Sequence, residues 1–208
     1  MPATASPSAL QPEPIFTVGH STRSAAEFLA LLQQHGVQCV VDVRKLTGSR
    51  RYPHFNADAL ADALALEGIG YVHIAALGGR RGRTLPAGEP SPNGFWTNDS
   101  FRRYADYALA SNAFEAGLQQ LLDLASTQRC AVMCAEAVWW RCHRRIIADY
   151  LQLHGRSVQH ILSPSHTEPA QPTAGAMLWS AGAPAAAPRL PVAHPERHRW
   201  VYPPSAPG

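Results

Sequence analysis

The run Val37-Gln-Cys-Val-Val-Asp-Val43 limits the fold more than any other feature of the chain. It is β-branched and almost continuously apolar. A strand with one face in water alternates between apolar and polar residues. A run like this is buried on both faces and belongs to a parallel sheet covered by helices on each side. Ile15-Phe-Thr-Val18, Ile69–Ile74, Cys130-Ala-Val-Met-Cys134 and Ser157–Leu162 read as companion strands. Between them lie segments of helical period. Ser24 and Glu27 form a capping-box pair that opens a helix with Phe28, Leu29, Leu31 and Leu32, closed by Gly36. Asn56 or Asp58 opens a second helix, with Leu60 and Leu64 on one face and Gly68 at its end. Two more helices are expected near Ser100–Leu109 and Ala113–Ser126, and another over Trp140–His154, stopped by Gly155. Strands alternating with helices predict an α/β, Rossmann-like three-layer sandwich with a mostly parallel sheet of about five strands.

The sandwich is expected to occupy residues 15–162. Residues 1–14 are rich in Ala, Pro and Ser and read as a disordered leader. From Ser163 to Gly208 proline, alanine and glycine dominate without period, so this tail is expected to be mostly irregular. Trp179 and Trp200-Val-Tyr-Pro-Pro204 are the residues able to dock it on the domain. The long segment Ala75–Thr97 reads as a functional or mobile loop.

The 208 residues suffice for one domain with a core, and the net charge of +3 is modest. Lys45 is the only lysine among 18 basic residues. Arginine suits planar, bidentate recognition of phosphates and carboxylates. No signal-type apolar segment and no run of transmembrane length is present. A cytoplasmic, reducing location is therefore expected, with no membrane partner. Cys39 and Cys130 sit in strands as small core residues, whereas Cys134 and Cys142 are expected to be free thiols or ligands.

Polar chemistry collects where strands hand over to helices. In a parallel α/β sheet the C-terminal strand ends share one edge, where ligands bind. Strand one delivers His20, Ser21 and Thr22 to that edge, and strand two delivers Asp42 and Arg44. Strand three leads into Gly78-Gly-Arg-Arg-Gly-Arg83, and strand five ends near His160. Strand four delivers Cys134 and Glu136, followed by Arg141-Cys-His-Arg144. Thr17-Val-Gly-His-Ser21, Asp42-Val-Arg44, Ser49-Arg-Arg51 with Pro53 and Phe55, Leu77-Gly-Gly-Arg80, Phe101-Arg with Tyr104-Ala-Asp106, and Met133-Cys-Ala-Glu136 with Arg141-Cys-His-Arg144 together resemble the DUF488 family. These motifs run from about Phe16 to Ile161, across the whole expected domain. The resemblance implies an α/β domain and a motif set, and it brings no reaction with it. Similar proteins tend to have proline at the positions of Thr47 and Trp139, and glycine at that of Arg103.

Cys134 is the sharpest candidate. A thiol at a strand end, beside a helix N-terminus and near Arg141, His143 and Arg144, is expected to ionise easily and act as a nucleophile. Its bland alternative is a small core residue. Glu136 and His20 are the candidates to move a proton. Arg44, Arg50, Arg80, Arg141, His143 and Arg144 are candidate anion ligands, with Ser21 and Asp42. Asp42 and Arg44 share a face and hold either ligand or each other. Gly78 and Gly79 permit close backbone approach to a ligand. Arg51, Arg81 and Arg83 extend two basic loops, and Tyr52, Phe55, Phe95 and Trp96 lie beside them for stacking or for core. Cys134, Cys142 and His143 with His20 or Glu136 could supply four zinc ligands, but the spacing is not that of a zinc knuckle and adjacent Cys-His rarely both reach one ion, so no cofactor is predicted.

The leading expectation is an enzyme with a cysteine-containing, arginine-rich site for a small anionic substrate, phosphate- or nucleotide-like. The alternative is a non-catalytic nucleotide or nucleic-acid binding module, and behind it a thiol-based redox or metal sensor. The oligomeric state is left open.

Overall fold

A computed structural model describes residues 13–179 and 198–204. The chain runs β1 (Ile15–Gly19), α1 (Ala25–Gln34), β2 (Cys39–Asp42), α2 (Ala57–Leu66), β3 (Gly70–His73), α3 (Asp99–Ala110), α4 (Asn112–Thr127), β4 (Cys130–Cys134), α5 (Arg144–Leu153), β5 (Val158–Ser163), β6 (His166–Pro169), β7 (Met177–Trp179) and β8 (Arg199–Val201). The first six strands of the central sheet lie in the order β3-β2-β4-β1-β5-β6. Strands β1 to β5 are parallel where they pair, and β6 returns antiparallel to β5. Strand β4 separates β1 from β2, so two positions are interchanged relative to the usual dinucleotide-binding order 3-2-1-4-5.

Alternation along the buried strands sorts the core into two faces. Val40, Ala131 and Met133 pack with Phe28, Leu31 and Leu32 of α1 and with Leu60 and Leu64 of α2. Their neighbours Val41, Cys130 and Val132 pack on the other side, with Tyr104 and Ala108 of α3, Phe114, Leu118 and Leu121 of α4, and Ile146 and Ile147 of α5. The result is the three-layer α/β sandwich that the continuous apolar runs require. The helices leaving β1 and β2 lie on one face and the helix leaving β4 on the other. The chain therefore diverges beside β4, and a crevice opens at the C-terminal ends of β1, β2 and β4.

Local chemistry sets the element ends. Ser24 caps α1 in a reciprocal box with Glu27. Asn98 and Ser111 cap α3 and α4 through side-chain oxygens that accept from Ser100 and Phe114 amides. Helix α5 starts at Arg144, later than the expected Trp140, because Trp139–Arg141 form a separate tight 3-10 turn.

Beyond the expected boundary at Leu162, β6 adds to the central sheet beside β5, and β7 pairs with β8 in a separate two-stranded ribbon. Tyr202 is fully buried, and its hydroxyl donates to Asp149 Oδ2 at 2.8 Å. The Trp200 indole donates to the Asp149 carbonyl at 2.7 Å. Asn93, in the long loop, accepts from the Tyr202 amide, and the Phe95 amide donates to the Tyr202 carbonyl. Loop and C-terminal segment thus hold one another. Composition hides this because a few aromatic anchors suffice to fix a proline- and alanine-rich segment. The expected leader up to residue 12 and the tail over 180–197 and 205–208 lie outside the described residues. Among the described residues, no helix is long and apolar enough to cross a membrane.

Candidate functional site

The crevice beside β4 is a cleft of about 690 Å³. His20, Ser21 and Thr22 enter it from the end of β1, and Arg44 and Lys45 from the end of β2. Gly79 and Arg80 come from the loop after β3, and Cys134, Glu136, Arg141, Cys142 and His143 from the segment between β4 and α5. The strand ends are held in register by backbone bonds from His20 to the Cys134 carbonyl and from Ser21 to the Ala135 carbonyl.

The cleft floor is a cluster of two sulfurs and an imidazole. His143 Nδ1 lies 4.0 Å from Cys134 Sγ and 3.7 Å from Cys142 Sγ. Its other nitrogen, Nε2, is 3.2 Å from the Val43 carbonyl oxygen and donates to it. That bond fixes the tautomer and leaves the Nδ1 lone pair facing both sulfurs. Arg144 is fully buried; its Nε donates to Cys142 Sγ at 3.3 Å and its Nη2 to the Glu136 carbonyl at 2.6 Å. Cys134 is 7% exposed and Cys142 2%. The bond to Cys142 and burial hold the Cys134 thiol well above the ordinary range. Burial opposes ionisation of Cys142 too, but Cys134, His143 and Arg144 together pull its thiol well below that range. The contacts favour Cys142, rather than the expected Cys134, as the more easily ionised of the pair: Cys134 bonds to its sulfur and Arg144 Nε donates to it.

The rim is cationic. Arg44 is buried and clasps Asp42 through Nε and Nη2, the latter at 2.6 Å. Asp42 also accepts from Tyr71 at 2.7 Å and is fully buried. Asp42 is therefore a partner for Arg44 and not a cleft residue. Burial opposes the Arg44 charge, and the bond to Asp42 more than restores it. Arg80 and Arg141 are exposed on the cleft, and Lys45 donates to the Arg80 carbonyl at 3.2 Å. Glu136 is the one carboxylate lining the cleft among the described residues.

His20 is buried and stacked on Phe55 at 4.1 Å. Burial pushes its imidazole down to about 4, against the bond to the Ser21 carbonyl. Neutral His20 donates from Nδ1 to that carbonyl at 3.0 Å, and its Nε2 faces Arg44 Nη1 at 3.4 Å. As placed, it orients Arg44 and offers a substrate no free lone pair.

Other expected site residues lie elsewhere. Arg50 is exposed and does not line the cleft, because its loop turns it outward. Arg144 lies beneath the floor, ordering Cys142 and the Glu136 loop. Gly78 is buried behind Lys45, where a Cβ would come within 3.0 Å of the Lys45 backbone. Arg81 spends its guanidinium on the Ala75, Ala76 and Gly78 carbonyls, over the Tyr107 ring. Arg83 is spent likewise on Leu85, Pro86 and Glu89. His160 is buried mid-strand, stacked on Trp139 and hydrogen-bonded to Thr17 at 2.7 Å. Phe95 and Trp96 pack into the core rather than the cleft. Tyr52 does line it. Sequence reasoning passed over Lys45, Phe101 and Tyr104 as cleft residues. Tyr104 reads as a core position on an amphipathic helix, yet its ring centroid is 4.9 Å from that of His143.

The family model described as a domain of unknown function, DUF488, matches residues 24–151. That span reaches from the α1 cap through the floor cluster to the end of α5. No curated protein and no solved structure matches the chain at a significant level. The match covers more than half of the chain and carries the cleft motifs that follow β1, from Asp42 to Arg144, and the chain belongs to the DUF488 family.

Proposed function

We propose that this protein is an enzyme that holds an anionic, phosphate- or nucleotide-like substrate in the cleft and transforms it at the Cys134–Cys142–His143 floor by hydrolysis or group transfer. One observation supports this reading above the others. A single cleft sets an imidazole lone pair and two sulfurs beneath a rim with Arg44, Lys45, Arg80 and Arg141 and only one carboxylate, Glu136. Cationic lining in a partly desolvated crevice favours an anion and disfavours a cation. Arg80 and Arg141 are the grips, with no side-chain partner for their guanidiniums among the described residues, and Arg44, its charge matched by Asp42, holds its place below them. Glu136 exchanges a proton with the substrate at the rim.

The test is calorimetric titration with pyrophosphate and with ADP at two salt concentrations, followed by a turnover assay on phosphoanhydrides and phosphoesters. Arg80→Ala and Arg141→Ala should each weaken binding about tenfold, or about 1.4 kcal/mol. Binding should weaken with salt. His143→Gln should bind normally and lose turnover. Salt-sensitive binding with no turnover by the unaltered protein would instead make it a binding module. Absence of any anion binding would overturn both readings.

A further inference from the structure

We propose that Cys134 Sγ, Cys142 Sγ and His143 Nδ1 are three ligands of a zinc-class divalent ion whose fourth position opens to the cleft. The three atoms lie within 4.8 Å of one another. Zinc takes thiolates at about 2.3 Å and imidazole nitrogen at about 2.0–2.1 Å, so a tetrahedral site has N···S edges of about 3.6 Å. The observed edges are 3.7 and 4.0 Å. The two N···S edges fit an ion with shifts of only a few tenths of an ångström.

The Nδ1 lone pair can accept one S–H, yet both sulfurs face it. An ion satisfies all three atoms at once. The surroundings match those of metal ligands. His143 Nε2 donates to the Val43 carbonyl, the outer contact that orients a ligating imidazole. Arg144 Nε donates to Cys142 Sγ, as to a thiolate. At Gly79 a Cβ would sit 2.9 Å from His143 Nδ1, so glycine keeps the space beside that donor open. Two sulfurs and an imidazole select zinc over magnesium or calcium. No fourth histidine, cysteine or carboxylate joins the three among the described residues. Three protein ligands with an open position are the composition of a catalytic rather than a structural zinc site. Sequence spacing argued against this set because it cannot show that the 3-10 turn folds Cys142 and His143 back over Cys134.

The inference does not depend on the enzyme reading, and its test reads the metal rather than turnover. The full chain, purified under reductant without chelator, is assayed for bound zinc, then stripped and titrated with cobalt(II). One equivalent is expected, with thiolate-to-cobalt charge-transfer absorption and the visible bands of tetrahedral cobalt. Cys142→Ser and His143→Gln should each weaken cobalt binding at least about tenfold, whereas Cys39→Ala should leave it unchanged. Circular dichroism of each variant confirms the fold, and Cys134→Ser serves where Cys142→Ser fails to fold. A folded chain that takes up no cobalt, or one whose cobalt spectrum lacks thiolate bands or persists in folded Cys134→Ser and His143→Gln, overturns the proposal. The anion titration above would be unaffected by that result.

Discussion

Gly19 decides whether the ends of β1 and β4 can meet. A Cβ there would stand 1.9 Å from the Glu136 carbonyl oxygen and 2.8 Å from that of Ala137, both backbone atoms. Neither can yield without moving the loop that carries the cleft floor. Gly19→Ala should therefore cost roughly 2–3 kcal/mol, at the upper end for overpacking, read as a lower urea midpoint. Gly48→Ala, with nothing within 4 Å of the new Cβ, should leave the midpoint unchanged. Single residues were legible in the sequence where a strand fixed their direction. Cys134 follows an unbroken apolar strand, so its delivery to the sheet edge could be read directly. Arg50, Arg81 and Arg83 lie in loops, where backbone angles set side-chain direction. Nothing in their spacing told a free guanidinium from one spent on carbonyls. His20 was placed correctly at the edge, but its burial and its two partners come from distant segments that sequence does not pair.

At the scale of elements, strand β8 and Tyr202 behave as part of the core rather than as an appendage. Tyr202 packs against Trp96 and bonds Asp149, whose carboxyl is pushed up by burial while Thr173 and Tyr202 hold it. Tyr202→Ala should destabilise the protein by about 3–5 kcal/mol, the range for removing a buried large aromatic, and thermal denaturation would register it. An unchanged melting temperature would mean that the C-terminal segment is dispensable. The helices and parallel strands were readable because capping residues, Gly36, Gly68 and Gly155 and apolar runs are local signals. Strands β6 to β8 carry no such signal. They are three or four residues long, too short to show a period, and they exist because partners already in place accept them.

For the whole molecule, the strand order places the helices after β1 and β2 on one face and α5 on the other, and the cleft follows from that divergence. The same packing buries two neutral histidines beneath and beside the site. Burial lowers His20 to about 4, and burial with the Arg144 charge lowers His160 to about 4. Each binds fewer protons folded than unfolded, where the value is near 6.5. Their contribution to stability is therefore complete above about pH 6.5 and declines as pH falls toward 4, by about 2 kcal/mol each near pH 5. Melting temperature followed from neutral to acidic pH should fall through that window, and His160→Gln should flatten the fall. A flat profile in the unaltered protein would contradict neutral burial of both rings.

The central claim is that the anion grips and the thiol floor share one cleft. Mass-spectrometric footprinting of the reduced, chelator-treated protein with a small alkylating agent, with and without ADP, tests it most directly. Cys142 and Cys134, which line the cleft, should react ahead of Cys39 and Cys130, which lie in the sheet core, and ADP should slow both in the unaltered protein but not in an Arg80→Ala, Arg141→Ala double variant. Equal reaction of all four cysteines, or a Cys134 rate indifferent to ADP, would contradict the shared cleft.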